Sequence, residues 1–206
     1  MIPAASRSRL NELRRDRTSA VRGADLLDRK REVLLREMSR RTARAEAMRR
    51  EVERTLAGAR RRLRIAEVHL GREGVTAAGF AQPATTAIDC RESAIMGVRF
   101  ASVRASSPPY RAAYGPASTS ESLDAAGAAF SVLVPRVVEL AAEESAVARL
   151  RVAVRKVTKI VNALQKVIIP RLEQQIRMTV DSIAEEERDE AIRRKVRLGS
   201  ELAVRR

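Results

Sequence analysis

Few residues of this 206-residue chain could do bond chemistry, and their spacing keeps them apart. His69 is the one histidine and Cys90 the one cysteine. A single imidazole supplies neither a zinc ligand set nor the base of a nucleophilic triad, so His69, beside Glu67, reads as a solvated helix residue. Cys90 reads as a small strand residue; one thiol excludes an intramolecular disulfide and fits a reducing compartment. Gly71, Gly74 and Gly79 lack the spacing and the strand context of a G-x-G-x-x-G turn, and no G-x-x-x-x-G-K-[ST] phosphate loop occurs. The densest carboxylate run is Glu185-Glu186-Glu187 with Asp189 and Glu190. Consecutive helical positions point in different directions, so these carboxylates cannot converge on a cation and belong on a salt-bridged, solvated face. No catalytic, cofactor-binding or metal-binding residue is assigned, and an enzyme is not expected.

The elements that carry these residues are elongated. Aromatic residues make up 2% of the chain, Trp is absent and 33% of residues are charged. Compact cores lean on large aromatics. An apolar fraction of 45% built mainly from Ala, Val and Leu suits narrow helix–helix seams instead. The net charge of +15 calls for an anionic counterpart: nucleic acid, an acidic lipid surface or a negatively charged protein cavity. Residues 1–72 hold 21 Lys/Arg against 10 Asp/Glu, residues 73–127 hold 4 against 5, and residues 128–206 hold 16 against 11. The positive charge therefore lies on the two flanking segments. No apolar run approaches the ~20 residues a bilayer span needs. The Met1-Ile2-Pro3-Ala4 start is not followed by an apolar stretch of the secretory kind, so a chain that is soluble or peripheral to a membrane is expected.

Residues 5–70 contain no proline. Steps of three and four from Leu13 reach Ala20, Ala24, Leu27, Leu34, Met38, Ala45, Met48, Val52, Thr55, Ala59 and Ala66, with Arg17, Arg31, Arg41 and Arg62 intruding. This is the seam of a left-handed coiled coil, whose arginine stems can snorkel outward. At ~1.5 Å per residue the helix is a rod on the order of 100 Å. A second seam runs through Leu133, Val137, Leu140, Glu144, Val147, Leu150, Val154, Val157, Val161, Leu164, Ile168, Leu172, Ile176, Thr179 and Ile183. Pro135 lies near its start, where a first helical turn tolerates proline. Four-residue steps from Leu164 to Ile176 form a stutter, and Pro170 inside it predicts a kink. Gly199 is expected to fray the last turn.

Between the helices, Gly71, Gly74 and Gly79 are expected to break the first one. Residues 84–89 and 94–104 carry β-branched side chains around Cys90-Arg91-Glu92-Ser93, which predicts a hairpin turning at those four residues. Residues 106–116 read as loop, and residues 118–122 as capping residues. Neither helix can bury its seam alone, so the two fold back on each other. The predicted fold is all-α dominated, a long antiparallel two-helix coiled coil with a small β-hairpin head. Its parts are an N-terminal helix (1–72), a head (73–122) and a C-terminal helix (123–206).

Charge alone leaves nucleic acid as a rival partner, since Arg40-Arg41, Arg49-Arg50, Arg60-Arg61-Arg62 and Arg64 would neutralise phosphates. Against it, stacking side chains are few and the arginines are spread along whole helices. More specific are the motifs Val161-Asn162-Ala163-Leu164 and Val167-Ile168-Ile169-Pro170-Arg171-Leu172. They resemble the "VNALE…IIPRL" signature of the D-subunit family of V-type and archaeal-type rotary ATPases. Ala184-Glu185-Glu186-Glu187-Arg188 resembles that family's "LEEEER", and Arg22-Gly23-Ala24-Asp25-Leu26-Leu27 with Lys30-Arg31 its "G-x-x-L-L-K-x-K-R". Ile95-Met96-Gly97-Val98 is similar to its "IMGV". Gln165 stands where Glu is common, and Asp28 where a lysine is common. Asn162, Gly23 and Pro170 are poor choices for a helix interior and are not explained by periodicity.

The resemblance implies a rotor shaft that threads a hexamer of alternating A and B subunits, where ATP is bound and hydrolysed. It implies a small partner, the F subunit, and a funnel-shaped socket subunit of the C/d type that joins the shaft to the membrane ring, which moves protons or sodium ions. The chain would then be non-catalytic, peripheral, on the cytoplasmic face, with no cofactor and no nucleic acid. The candidate interaction residues are Asn162, Lys166, Pro170 and Arg171 in the last helix, with Met96 and Gly97 in the head. A basic coiled-coil protein that binds nucleic acid is the alternative.

Overall fold

The computed structural model describes residues 6–83, 86–115 and 120–204. In chain order the elements are α1 (Arg7–Ala81), β1 (Ala87–Ile95), β2 (Val98–Ser106), α2 (Glu121–Ala163), a π segment (Leu164–Ile168) and α3 (Ile169–Val204). The fold is helical with a two-stranded antiparallel hairpin between the helices, as predicted. Residues 84–85 of the expected hairpin, and 116–119 of the expected loop and cap, lie outside the described residues. The chain forms two compact units, one of residues 32–154 and one of residues up to 31 together with those from 155 on.

In the unit of residues 32–154, α1 buries Ala45, Val52, Ala59 and Ala66 at intervals of seven, the period of a left-handed coil. Ala45, Val52 and Ala59 share one cluster with Leu133 and Leu140 of α2. Ala66 and Ala78 share another with Leu123. Later residues of α1 thus meet earlier residues of α2, and the pair is antiparallel. Small residues on α1 face leucines on α2, which lets the backbones approach; each leucine withdrawn from water contributes about 1.5–3 kcal/mol. Arg41 to Glu143, Arg49 to Glu144 and Arg136 to Glu51 bridge the same helices.

The sequence expectations need four corrections here. Of the three glycines only Gly71 breaks α1, in a non-helical conformation (φ 70°, ψ 162°) as expected; Gly74 and Gly79 do not, and lie in the helical stretch that resumes there and runs to Ala81. Helical glycine costs only ~1 kcal/mol, and Ala78 and Val75 regain that by packing with Ala66 and Leu123. Pro135 is not in a first turn but well inside α2, which starts at Glu121. The hairpin turns at Met96-Gly97, and Cys90-Arg91-Glu92-Ser93 lie within β1, with Cys90 across from Val103. Both turn residues have positive φ, 49° at Met96 and 81° at Gly97. That is the type I′ geometry matching the twist of paired strands, and Gly97 supplies half of it at no steric cost. Finally, an 18-residue window of the helical stretch Glu121–Arg197 reaches a mean hydropathy of 1.5, long and apolar enough by those measures to cross a membrane. The expectation that no run approaches a span overlooked it. Within α2, however, Leu133 and Leu140 are core residues and Arg136 is ion-paired to Glu51.

In the other unit, Leu13 and Ala24 of α1 and Val157 and Val161 of α2 are buried. Arg17 donates twice to Glu173, at 2.9 and 2.7 Å, and Arg7 pairs with Glu187 at 2.7 Å, so this pairing is antiparallel too. The stutter takes the form of the π segment, in which the Ile169 amide donates to the Leu164 carbonyl. Pro170 has no N–H, and its ring would crowd the Lys166 carbonyl in α geometry; a wider turn just before it relieves both. The wider turn adds one residue to the seam step. Burial passes from Leu164 to Ile169, not to Ile168, which is left 41% exposed.

Candidate interaction surfaces

The predicted contact residues fall in both units. Asn162, Lys166, Pro170 and Arg171 all stand exposed along the π segment and its two flanks. Asn162, Lys166 and Arg171 are separated by four and then five residues. An α turn nearly closes in four residues and a π turn in about five, so the three return to a similar side of the helix. Val167 (60% exposed) and Ile168 sit among them, leaving apolar surface between cationic and amide groups. The seam Val157, Val161, Leu164, Ile169 holds this stripe outward.

Met96 and Gly97 form the tip of the hairpin. Close behind the tip, Phe100 of β2, paired with Ser93, is only 2% exposed. The Arg41 guanidinium lies over that ring, 4.2 Å from its centroid. The same guanidinium reaches Glu37 at 2.7 Å and Glu143 at 2.8 Å, and Arg44 adds a longer contact to Glu143. The Glu37 carboxyl is held below its ordinary value by the hydrogen bond from Arg40, opposed by desolvation and reinforced by Arg41. The backbone joins in: the Ala105 amide donates to Glu139, and Arg149 donates to the Arg99 carbonyl. A cleft of about 690 Å³ remains between strands and helices, lined among others by Arg41, Arg44, Asp89, Arg104, Glu139 and Glu143. This network is not legible in the sequence. Its one available signal was an arginine, Arg41, standing at a seam position.

The segment after β2 is also anchored, although it reads as plain loop. Tyr114 donates to Asp124 at 2.5 Å and shares a 2.7 Å contact with the Tyr110 hydroxyl. Burial first, then the Asp124 carboxylate, pushes the Tyr114 phenol far up and keeps it a donor. Gln82 donates to the Arg111 carbonyl and accepts from the Ala113 amide. The Tyr110 ring lies against α2 at Gly127, where a Cβ would overlap it. In the acidic run, Glu187 pairs with Arg7 and Glu190 with Arg194. Among the described residues no three His, Cys, Asp or Glu side chains are grouped to hold a metal ion.

These features define a class: an antiparallel helical-pair protein that buries a narrow seam and displays a β-hairpin and a π-interrupted helix. The family model that describes the D subunit of ATP synthase matches residues 9–197. The V-type ATP synthase D subunit of Thermotoga neapolitana is 33% identical over 195 residues, covering 95% of this chain and 96% of the relative. The A-type ATP synthase D subunit of Thermococcus sibiricus is 30% identical over 193 residues, covering 92% and 90%. That of Methanoregula boonei is 32% identical over 188 residues, covering 88% and 90%. The chain belongs to the ATP synthase D-subunit family.

Proposed function

We propose that this chain is the central rotor shaft of a V/A-type rotary ATPase and does no bond chemistry itself. Torque would pass between an A/B hexamer that binds ATP and a membrane ring that moves protons or sodium ions. The F subunit and a socket subunit of the C/d type would be its other partners. It would sit at the cytoplasmic face of the membrane, peripheral and not inserted. The observation that carries the reading is a family match running from residue 9 to residue 197, over both seams and the hairpin together. The physical properties agree. A shaft must pass through several equivalent orientations without being trapped, and exposed ion pairs worth about 0–1 kcal/mol each make a shallow potential. Arginines scattered along both helices suit pairs of that kind with a surrounding hexamer.

Within this reading, Asn162, Lys166, Pro170 and Arg171 face the inner wall of the hexamer. The Met96-Gly97 hairpin faces away from the shaft tip and adjusts turnover without carrying torque. The hexamer should be assembled with this chain and the F subunit, fixed to a surface, and a bead attached to the chain through Cys90. ATP-driven rotation of the bead is expected. A hexamer that hydrolyses ATP while the chain neither co-elutes nor turns would overturn the proposal. Nucleic acid that stays bound through high salt would favour the rival reading, which rests on the +15 net charge.

A further inference from the structure

The side of α1 turned away from its seam carries a feature that helix pairing leaves unused. Ala59 and Ala66 are fully buried. At 100° per residue, the opposite side of the helix is occupied by Ala57, Arg61, Arg64, Ile65 and Val68. With Arg60 these line a shallow groove of about 490 Å³. Val68 is 83% exposed and Ile65 45% exposed, two β-branched apolar side chains held in water beside three guanidinium groups. Arg60, Arg61 and Arg64 make no ion pair among the described residues, whereas Arg40, Arg41, Arg44 and Arg49 earlier on the same helix all do. From Arg54 to Arg72 the chain has six arginines and one acid, Glu67.

Each chemical element of this face limits what covers it. Unpaired guanidinium groups in a fixed array select carboxylates or phosphates, which they bind in bidentate fashion. Ile65 and Val68 beside them gain only from an occupant that brings apolar side chains to the same place. Nucleic acid would meet the charge and leave the apolar pair wet, and the groove lining has no aromatic residue on which a base could stack. A bilayer would take the apolar side chains, but two of them on a helix packed on its other side make a poor anchor.

We propose that the face formed by Arg60, Arg61, Arg64, Ile65 and Val68 docks an acidic protein segment with apolar side chains set among its carboxylates. The occupant belongs to another protein of the assembly, so the proposal rests on the shaft reading above. The test uses the full chain with Val68→Cys in a Cys90→Ser background, labelled with a benzophenone maleimide and assembled with its complex. After irradiation, the adduct is digested and sequenced. The expected product is a peptide of a second protein of the complex, rich in Asp and Glu and containing apolar residues. Its yield should fall at least tenfold when Arg60, Arg61 and Arg64 are all changed to Glu, and should fall much less when all three are changed to Lys. Adducts only to nucleic acid or lipid, a yield indifferent to charge reversal, or no adduct in a chain that has co-eluted with the hexamer would each overturn the docking proposal alone. Failure of the unlabelled chain to co-elute would overturn the shaft reading and this inference with it.

Discussion

Arg41 sits with its guanidinium 4.2 Å above the centre of the Phe100 ring, so one side chain of α1 ties the β-hairpin to the helix pair. The same group bridges Glu37 and Glu143, which fixes its plane. Phe100→Ala should destabilise the chain by about 3 kcal/mol, since it empties a buried aromatic site. Arg41→Ala should cost about 1.5–3 kcal/mol, because it removes charged hydrogen bonds from two largely buried carboxylates and leaves Glu37 with Arg40 and Glu143 with the longer Arg44 contact. The double variant should lose about 1 kcal/mol less than the sum, the worth of the cation–ring contact. Urea unfolding of the four proteins measures this, and strict additivity would mean that ring and guanidinium do not couple.

Gly127 holds the connection into α2 by having no side chain. Gly127→Ala places a methyl inside the space of the Tyr110 ring. Helix propensity alone would favour alanine by about 1 kcal/mol. Displacing Tyr110 and its contact with Tyr114 should outweigh that, for a net loss of about 1–2 kcal/mol. In a Tyr110→Ala background the same substitution should become stabilising. A thermal melt of the two pairs decides, and a stabilising Gly127→Ala in the unaltered chain would show that the ring moves aside freely.

Glu37 makes part of the stability depend on pH. Its carboxyl is held below the ordinary value by Arg40 first and Arg41 after desolvation is met. A folded-state value below the unfolded one means stability fully present above about pH 4.3 and lost as pH falls through the lower folded value. Glu37→Gln should therefore be less stable at neutral pH and should lose less on acidification. Denaturation midpoints between pH 7 and pH 3 test it, and parallel curves for the two proteins would place the acid sensitivity elsewhere.

Pro170 and the π segment before it are expected to act mechanically. Pro170→Ala restores a backbone donor and removes the ring that crowds Lys166, so the isolated chain should gain about 1 kcal/mol, well under the ~3 kcal/mol of an unrelieved mid-helix proline. If the irregularity gives the shaft its asymmetry inside the hexamer, torque in the rotation assay should drop. A stabilised variant that turns with undiminished torque would leave the proline without a mechanical part.

Much of this was legible in the residues. Leu34, Ala45, Val52, Ala59, Leu133, Leu140 and Leu150 are buried where steps of three and four put them, because a helix pair in water hides whichever stripe is apolar. Other errors have local causes. At Ile168-Ile169 two equal side chains stand side by side, so periodicity could not say which one a widened turn would bury. At Met96-Gly97 the left-handed turn is filled by methionine instead of the Asn or Asp that usually announces it, and a residue of that kind costs about 1–2 kcal/mol there.

The sequence by itself determined the helical class, the two seams, the place of the hairpin between them and, through motifs that run the length of the chain, the family. Those are properties of spacing and of local backbone preference, which each stretch expresses on its own. Only the tertiary structure decided that α1 continues through Gly74 and Gly79, that Arg41 lies on Phe100, that Tyr110 occupies the space at Gly127, and that Arg60, Arg61 and Arg64 are exposed and make no ion pair among the described residues. Each depends on what a second segment brings to the same point in space, and a free energy shared between distant residues leaves no period in either.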